Sequence, residues 1–240
     1  MNVIYNEDCL IGLVKIPDET IDLIVTDPPF GIDFQKTQSM YNRKTDNVVA
    51  SNSYHDVPVN DYYDFTSKWM SQAYRILKQD GSMYVFSGWN NLKDVLTCLD
   101  VTGFKTVNHI IWKYQFGVYT KNKFVTSHYH LLYVCKNIKK RKFYNTNDAV
   151  SPKDKYRDLE DVWVIKREYW RNELKTPTKL PSEIINKILK YSSKENDVVC
   201  DPFIGSGQVA FVAKSLKRNY IGFEISKDYF DFAIKRLTNI

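Results

Sequence analysis

Short apolar runs recur along the chain, separated by polar or turn-forming stretches: IDLIVT from Ile21, SMYVFSGW from Ser82, KTVNHIIWKY, HYHLLYVCK, then DVVCD and YIGFE near the end. Ile21, Leu23, Ile24 and Val25 have the composition of a strand buried on both faces of a parallel sheet. Segments with helical spacing lie between the runs. DYYDFTSKWMSQAYRILK places Phe65, Trp69, Tyr74 and Leu77 near one face and is expected to stop before the Asp80-Gly81 turn. NLKDVLTCLDVTGF, PSEIINKILKYSS opened by Pro181, QVAFVAKSLK and KDYFDFAIKRL read as further helices. IYNEDCL reads as a short strand entering a helix capped by Asp8. Strands alternate with helices, so the expected fold class is α/β with a mainly parallel sheet, and the two runs before Lys136 form a hairpin at its edge. Two stretches break the alternation. Residues 31–60 are polar and nearly aperiodic, which suits a mobile lid. Residues 137–175 carry Phe143, Tyr144, Tyr156, Trp163, Tyr169 and Trp170 without a helical period and read as a small insertion, with Trp163 and Trp170 expected to pack.

Size and charge narrow the class. A chain of 240 residues with 43% apolar content suits one domain plus that insertion. No apolar run approaches the roughly 18 residues that span a bilayer. The start, MNVIYNEDCL, has no basic region before an apolar one, so neither membrane insertion nor secretion is expected. Cys9, Cys98, Cys135 and Cys200 form no CxxC pair, and with four scattered histidines no metal spacing is present. Buried thiols in a reducing cytoplasm are the expectation, with no metal. The net charge of +6 is uneven: residues 105–180 hold 17 Lys+Arg against 7 Asp+Glu, so the whole excess lies in the middle third. KNIKKRK, with Lys139, Lys140, Arg141 and Lys142, is its densest run, and such concentration points to a polyanion.

Two corners carry the chemistry. The strand at Ile21 ends in TDPPF, where Pro28 and Pro29 cannot continue a ladder and hold Asp27 and Phe30 at the strand's carboxyl end. Open α/β sheets bind ligands at that end. The strand VVCD also ends in Asp-Pro-aromatic, Asp201 to Phe203, and runs into Gly205-Ser206-Gly207 before a helix. Such a loop lets backbone approach a ligand, and the helix start offers free amides. The next strand ends in Glu224, 17 residues past Gly207, a spacing that suits ribose hydroxyls. No Lys-Ser/Thr follows the glycines, so this is not a P-loop, and a nucleoside cofactor without a triphosphate fits better.

TDPPF followed far downstream by DPFIGSG, with EDCL, RILKQDGSMYVF, VWVIKREYW before TPTKLP, and GFEISKDYF, resembles the β-class amino methyltransferases that modify adenine N6 or cytosine N4 in DNA. The resemblance covers nearly the whole chain. It implies a Rossmann-like sheet with helices on both faces and an antiparallel edge hairpin, S-adenosylmethionine as methyl donor and DNA as partner. The implied layout is a catalytic half at 1–136 with the loop 31–60, a target-recognition insertion at 137–175 and a cofactor half at 176–240. Asp27, Pro28, Pro29 and Phe30 would be the catalytic tetrapeptide. Asp27 and a backbone carbonyl near Pro28 would accept the amine's hydrogen bonds, and Phe30 would stack on a flipped base. Asp8, Asp201, Phe203, Gly205, Ser206, Gly207 and Glu224 would bind the cofactor, and Lys139, Lys140, Arg141 and Lys142 phosphates. A homodimer and a cognate restriction endonuclease are further expected partners. Adenine is the implied base because Asp at the first motif position goes with adenine; cytosine N4 is the alternative. Carbon-5 methylation would need a Pro-Cys nucleophile, and no proline here precedes a cysteine. Three departures, Thr176 and Leu180 in TPTKLP and Gln208 after the glycines, fall where the cofactor's methionine end would sit, and motivate a non-catalytic DNA-binding relative as the third reading.

Overall fold

The computed structural model describes residues 2–31, 56–115, 117, 119, 121–145, 151, 154–168 and 179–238. Eight strands form one sheet: β1 (Asn2–Tyr5), β2 (Ile21–Thr26), β3 (Leu77–Ser87), β4 (Lys105–Lys113), β5 (His128–Cys135), β6 (Val162–Val164), β7 (Val198–Asp201) and β8 (Asn219–Phe223), in the spatial order β1-β8-β7-β2-β3-β5-β4-β6. All neighbours run parallel except β5, which is antiparallel to both β3 and β4. The expected hairpin is present, but β6 pairs outside it, so the insertion contributes the edge strand rather than a separate unit.

Helices α1 (Cys9–Gly12), α2 (Tyr62–Ile76) and α3 (Leu92–Thr102) cover one face, and α5 (Ser182–Ser192), α6 (Gln208–Ser215) and α7 (Lys227–Thr238) the other. A short α4 (Lys155–Asp158) precedes β6. Every residue of β2 is buried, Ile21, Leu23, Ile24 and Val25 completely. Each such side chain contributes about 1.5–3 kcal/mol of burial, which fixes β2 at the centre. The buried stripe of α2 is Tyr62, Thr66, Trp69, Met70, Ala73 and Ile76. Phe65 packs only partly, and Leu77 already belongs to β3. The helix therefore ends earlier than Asp80-Gly81 suggests, and those residues fall inside β3, where its pairing with β2 jumps from Ile21–Leu77 to Leu23–Ser82. The turn signal survives as an irregularity in the ladder instead of a helix stop. No helix among the described residues is long and apolar enough to cross a membrane, and all four cysteines are free and buried. The segment expected to act as a lid falls mostly on residues 32–55, outside the described residues, as do Tyr169, Trp170 and Thr176.

At the amino-terminal end of β2 sits a buried ion cluster. Asp22 Oδ1 accepts from Lys142 Nζ at 2.7 Å and Lys78 Nζ at 2.8 Å, and its Oδ2 from the Val198 amide at 2.9 Å. Lys142 also faces Asp80 at 3.4 Å and Asp197 at 3.9 Å. Burial raises the Asp22 carboxyl, but these donors outweigh it and hold it below the usual range. Removing one partner of such a cluster leaves charge uncompensated. Lys142→Ala is expected to lower unfolding stability by about 2 kcal/mol in urea titration.

Candidate active site

Strands β2 and β7 pair in parallel at Leu23–Val199 and Ile24–Cys200, so both Asp-Pro corners leave the sheet side by side. From here β2 leads to β3 in one direction and β7 to β8 in the other, the switch point at which open sheets form a ligand crevice. The Thr26 hydroxyl donates to Asp201 Oδ1 at 2.9 Å and ties one corner to the other, and the Phe203 amide donates to the same oxygen at 3.0 Å. Burial pushes both Asp27 and Asp201 up to about 7, and for Asp201 the neighbouring Asp27 and Glu224 charges push the same way. No Lys or Arg pairs with either carboxyl among the described residues.

Phe30 is held at both ends. Its carbonyl accepts from the Asn91 side-chain Nδ2, and its ring lies 5.7 Å from that of Tyr129 and against Gly88. The ring stays partly exposed. Pro28 is buried and Pro29 half-buried, so the tetrapeptide is braced from the sheet side.

On the second corner the chain turns through Gly205 at φ 51° and Gly207 at φ 76° into α6. A Cβ at Gly207 would stand 2.9 Å from the Ala233 Cβ, so both the dihedral and α7 require glycine there. Glu224 organises this loop: Oε2 accepts from the Gly205 amide at 3.0 Å and Oε1 from the Ser226 amide at 2.7 Å. The sequence suggests only a ligand role for Glu224, and nothing in it marks the clamp on Gly205. Ser206 is buried, and its carbonyl accepts from Arg236 at 3.3 Å. Phe203 packs edge-on to Trp69 at 5.4 Å and near Phe65 at 5.8 Å, which anchors the loop to α2. Asp8 caps α1 as expected, accepting from Leu10 N at 2.8 Å. The Glu224 backbone exchanges hydrogen bonds with Tyr5 and Glu7, which brings Asp8 beside the end of β8.

Of the three departures, Gln208 has a local explanation, built on the neighbours of Lys179. Lys179 pairs with Glu168, whose other oxygen accepts from the Ser182 amide at 2.7 Å. Burial raises Glu168, but Lys179 and Ser182 hold it below the usual range. Gln208 Nε2 donates to the Ser182 hydroxyl at 2.7 Å, so Glu168, Ser182 and Gln208 link the TPTKLP element to the glycine loop. Glu168 carries no signal in the sequence. Gln208 Oε1 is buried without a partner.

The basic run is not brought to this site. It follows Cys135, which pairs with Ser82 and Lys105 at the far end of the sheet from Asp27. Lys142 belongs to the Asp22 cluster, Arg141 donates to the Ile138 carbonyl at 2.7 Å, and Lys139 and Lys140 are exposed there. The antiparallel sense of β5 is the signal that places them: a hairpin turning at the catalytic end returns its last residues to the opposite one. The same reversal brings His128 and His130 to the site, with His130 Nδ1 2.8 Å from His109 Nε2 and burial lowering His130 to about 4. Among the described residues no His/Cys/Asp/Glu group is placed to hold a metal.

Comparison with known proteins agrees with this geometry. Residues 21–235 match the family model described as DNA methylase. The type II methyltransferase M.HinfI of Haemophilus influenzae is 31% identical over all of this chain and 69% of its own length. M2.DpnII of Streptococcus pneumoniae is 30% identical over 98% of this chain and 89% of its own. Among solved structures, a DNA modification methylase of Thermus thermophilus complexed with S-adenosyl-L-methionine superposes with TM-score 0.74 at 19% identity, covering 100% of this chain and 94% of that one. The cytosine-N4-specific PvuII methyltransferase gives TM-score 0.74 at 18% identity, covering 98% and 86%.

The raised Asp27 carboxyl has a stability consequence. Its folded pKa near 7 exceeds the unfolded value near 4, so the folded state holds the extra proton between those limits and loses stability as pH rises through them. Urea midpoints measured from pH 4 to 8 should fall more for wild type than for Asp27→Asn. The Asn variant should be the more stable at pH 8, by on the order of 2 kcal/mol.

Proposed function

This chain belongs to the DNA methylase family of N6 and N4 amino methyltransferases, and from that premise we propose that it methylates the exocyclic N6 amine of an adenine extruded from DNA, with S-adenosylmethionine as donor. The observation that carries this reading is the pair of carboxyl groups, half-buried Asp27 and buried Asp201, on adjacent strand ends beside the glycine loop. When bound, S-adenosylmethionine supplies a methyl group already activated on a positively charged sulfur.

The residues present fit a cationic nucleoside. Two carboxyls raised by burial, with no cation among the described residues to pair them, are stabilised by a positively charged ligand. The space where a Gly205 side chain would begin is open, its nearest neighbour the Phe203 carbonyl at 3.9 Å. Asp201 takes the amino group, Glu224 the ribose hydroxyls, and Phe203, Ser206 and Asp8 border the rest.

Asp27 accepts a hydrogen bond from the adenine amine and the Pro28 carbonyl accepts a second. Together they draw the nitrogen toward tetrahedral geometry and free its lone pair from the ring. Two prolines keep these acceptors rigid. Phe30 stacks on the extruded base. An acceptor near pKa 7 also suits the proton the amine must lose after transfer. Adenine over cytosine rests on the Asp that opens the tetrapeptide. The same reading takes a cognate restriction endonuclease as partner, which the type II naming of the relatives supports, and a homodimer as the expected assembly.

Incubation with methyl-labelled S-adenosylmethionine and mixed-sequence duplex DNA, digestion to nucleosides and mass spectrometry should place the label on adenine N6. Label on cytosine N4 would reassign the base, and none would remove the enzymatic reading. Asp27→Ala should lower transfer at least about a hundredfold while weakening cofactor binding only severalfold, the loss of its charge beside the ligand. In wild type kcat/KM should rise with pH through about 7, because ionised Asp27 is the stronger acceptor of the amine's hydrogen bond; a flat profile contradicts that role.

A further inference from the structure

With the basic run at the far end of the sheet, the cation that meets the nucleic-acid backbone at the catalytic corner must come from elsewhere. Strand β6 runs parallel to β4, pairing Ile111–Val162 to Lys113–Val164, so the chain leaving it emerges beside Tyr114 and Tyr129 at the catalytic end. Its backbone is fixed there: Ile165 N donates to the Lys113 carbonyl at 3.2 Å, and the Ile165 carbonyl accepts from Trp112 Nε1 at 2.9 Å. Two residues on, the Arg167 guanidinium lies 4.0 Å from the Tyr114 ring centroid and 5.6 Å from that of Tyr129. Tyr129 in turn stands 5.7 Å from Phe30. A continuous row thus runs from the base-stacking ring to a half-buried guanidinium.

That guanidinium is incompletely satisfied. Its Nε is buried without a hydrogen-bond partner, and no carboxylate pairs with it among the described residues. The adjacent Glu168 is already committed to Lys179 and the Ser182 amide. A partly buried cation without an anionic acceptor is costly, and an anionic ligand removes that cost. Over the Tyr114 and Tyr129 rings the guanidinium hydrogen-bonds the Tyr129 side chain and keeps further donors, and such a planar fork can grip a phosphate in two places.

We infer that Arg167, shelved on Tyr114 and Tyr129 beside Phe30, is a phosphodiester-binding residue that holds the backbone of the nucleotide whose base enters the corner. This rests on the reading of the protein as a DNA methyltransferase. It makes Arg167 a positioning residue, acting on the strand and not on the reacting amine.

The test compares wild type, Arg167→Ala, Arg167→Gln, Arg167→Lys and the double variant Lys139→Ala/Lys140→Ala. Anisotropy titrations with mixed-sequence duplex DNA are run from 50 to 200 mM salt, beside calorimetric S-adenosylmethionine binding. Arg167→Ala and Arg167→Gln should bind DNA about tenfold more weakly and lose about one from the slope of log K against log salt. Arg167→Lys should keep the slope, the Lys139/Lys140 variant should match wild type, and cofactor affinity should stay constant throughout. An unchanged slope in a folded Arg167→Gln protein, or a larger loss in the Lys139/Lys140 variant, overturns the assignment while leaving the methyltransferase reading intact. A wild type that binds cofactor but shows no salt-dependent DNA binding overturns both.

Discussion

Strands β2 and β7, far apart in the chain, pair at the centre of the sheet, and that pairing sets two Asp-Pro corners against each other. The consequence is electrostatic. Asp27 and Asp201 stand in a site where burial raises both carboxyls to about 7, and the Thr26 hydroxyl that ties the corners together bonds only one of them. A fold with only structural requirements would fill this crevice with apolar side chains, since unpaired buried acids cost stability. The cost is sustained at the point where the sheet's connections diverge, beside the glycine loop and the Glu224 clamp.

Much of this is legible in the residues. The fully apolar run of β2 marks a central strand, the prolines mark its end, and Asp8 announces its helix. These signals are local: strand composition, ring constraint, cap chemistry. What escapes them depends on tertiary direction. Lys139 to Lys142 read as a phosphate contact, and the antiparallel β5 carries them to the opposite end of the sheet from Asp27. Lys142 then becomes the partner of Asp22, an interaction 120 residues long in sequence that no spacing rule predicts. Asp80-Gly81 fails as a helix stop for a related reason. A Cβ at Gly81 would lie 2.9 Å from the Asp22 carbonyl, so the glycine serves close approach of β3 to β2.

Gln208, one of the departures from the family pattern, acquires a physical meaning in the same way, together with Lys179. Lys179 pairs with Glu168, Glu168 receives the amide that opens α5, and Gln208 reaches back to Ser182. Lys179, Glu168, Ser182 and Gln208 act as one brace between the TPTKLP element and the glycine loop. A change at one of them is therefore coupled to the others.

The central claim is that the joined corners form a site for a cationic ligand, with two acids waiting for positive charge. Proton release on S-adenosylmethionine binding tests it most directly. Calorimetric titrations near pH 6.5, repeated in buffers of different ionisation enthalpy, should show net release of protons as the ligand's charge lowers the Asp27 and Asp201 pKa values, fading above pH 8 where both are already ionised. Binding with no proton release, or with uptake, would contradict the account.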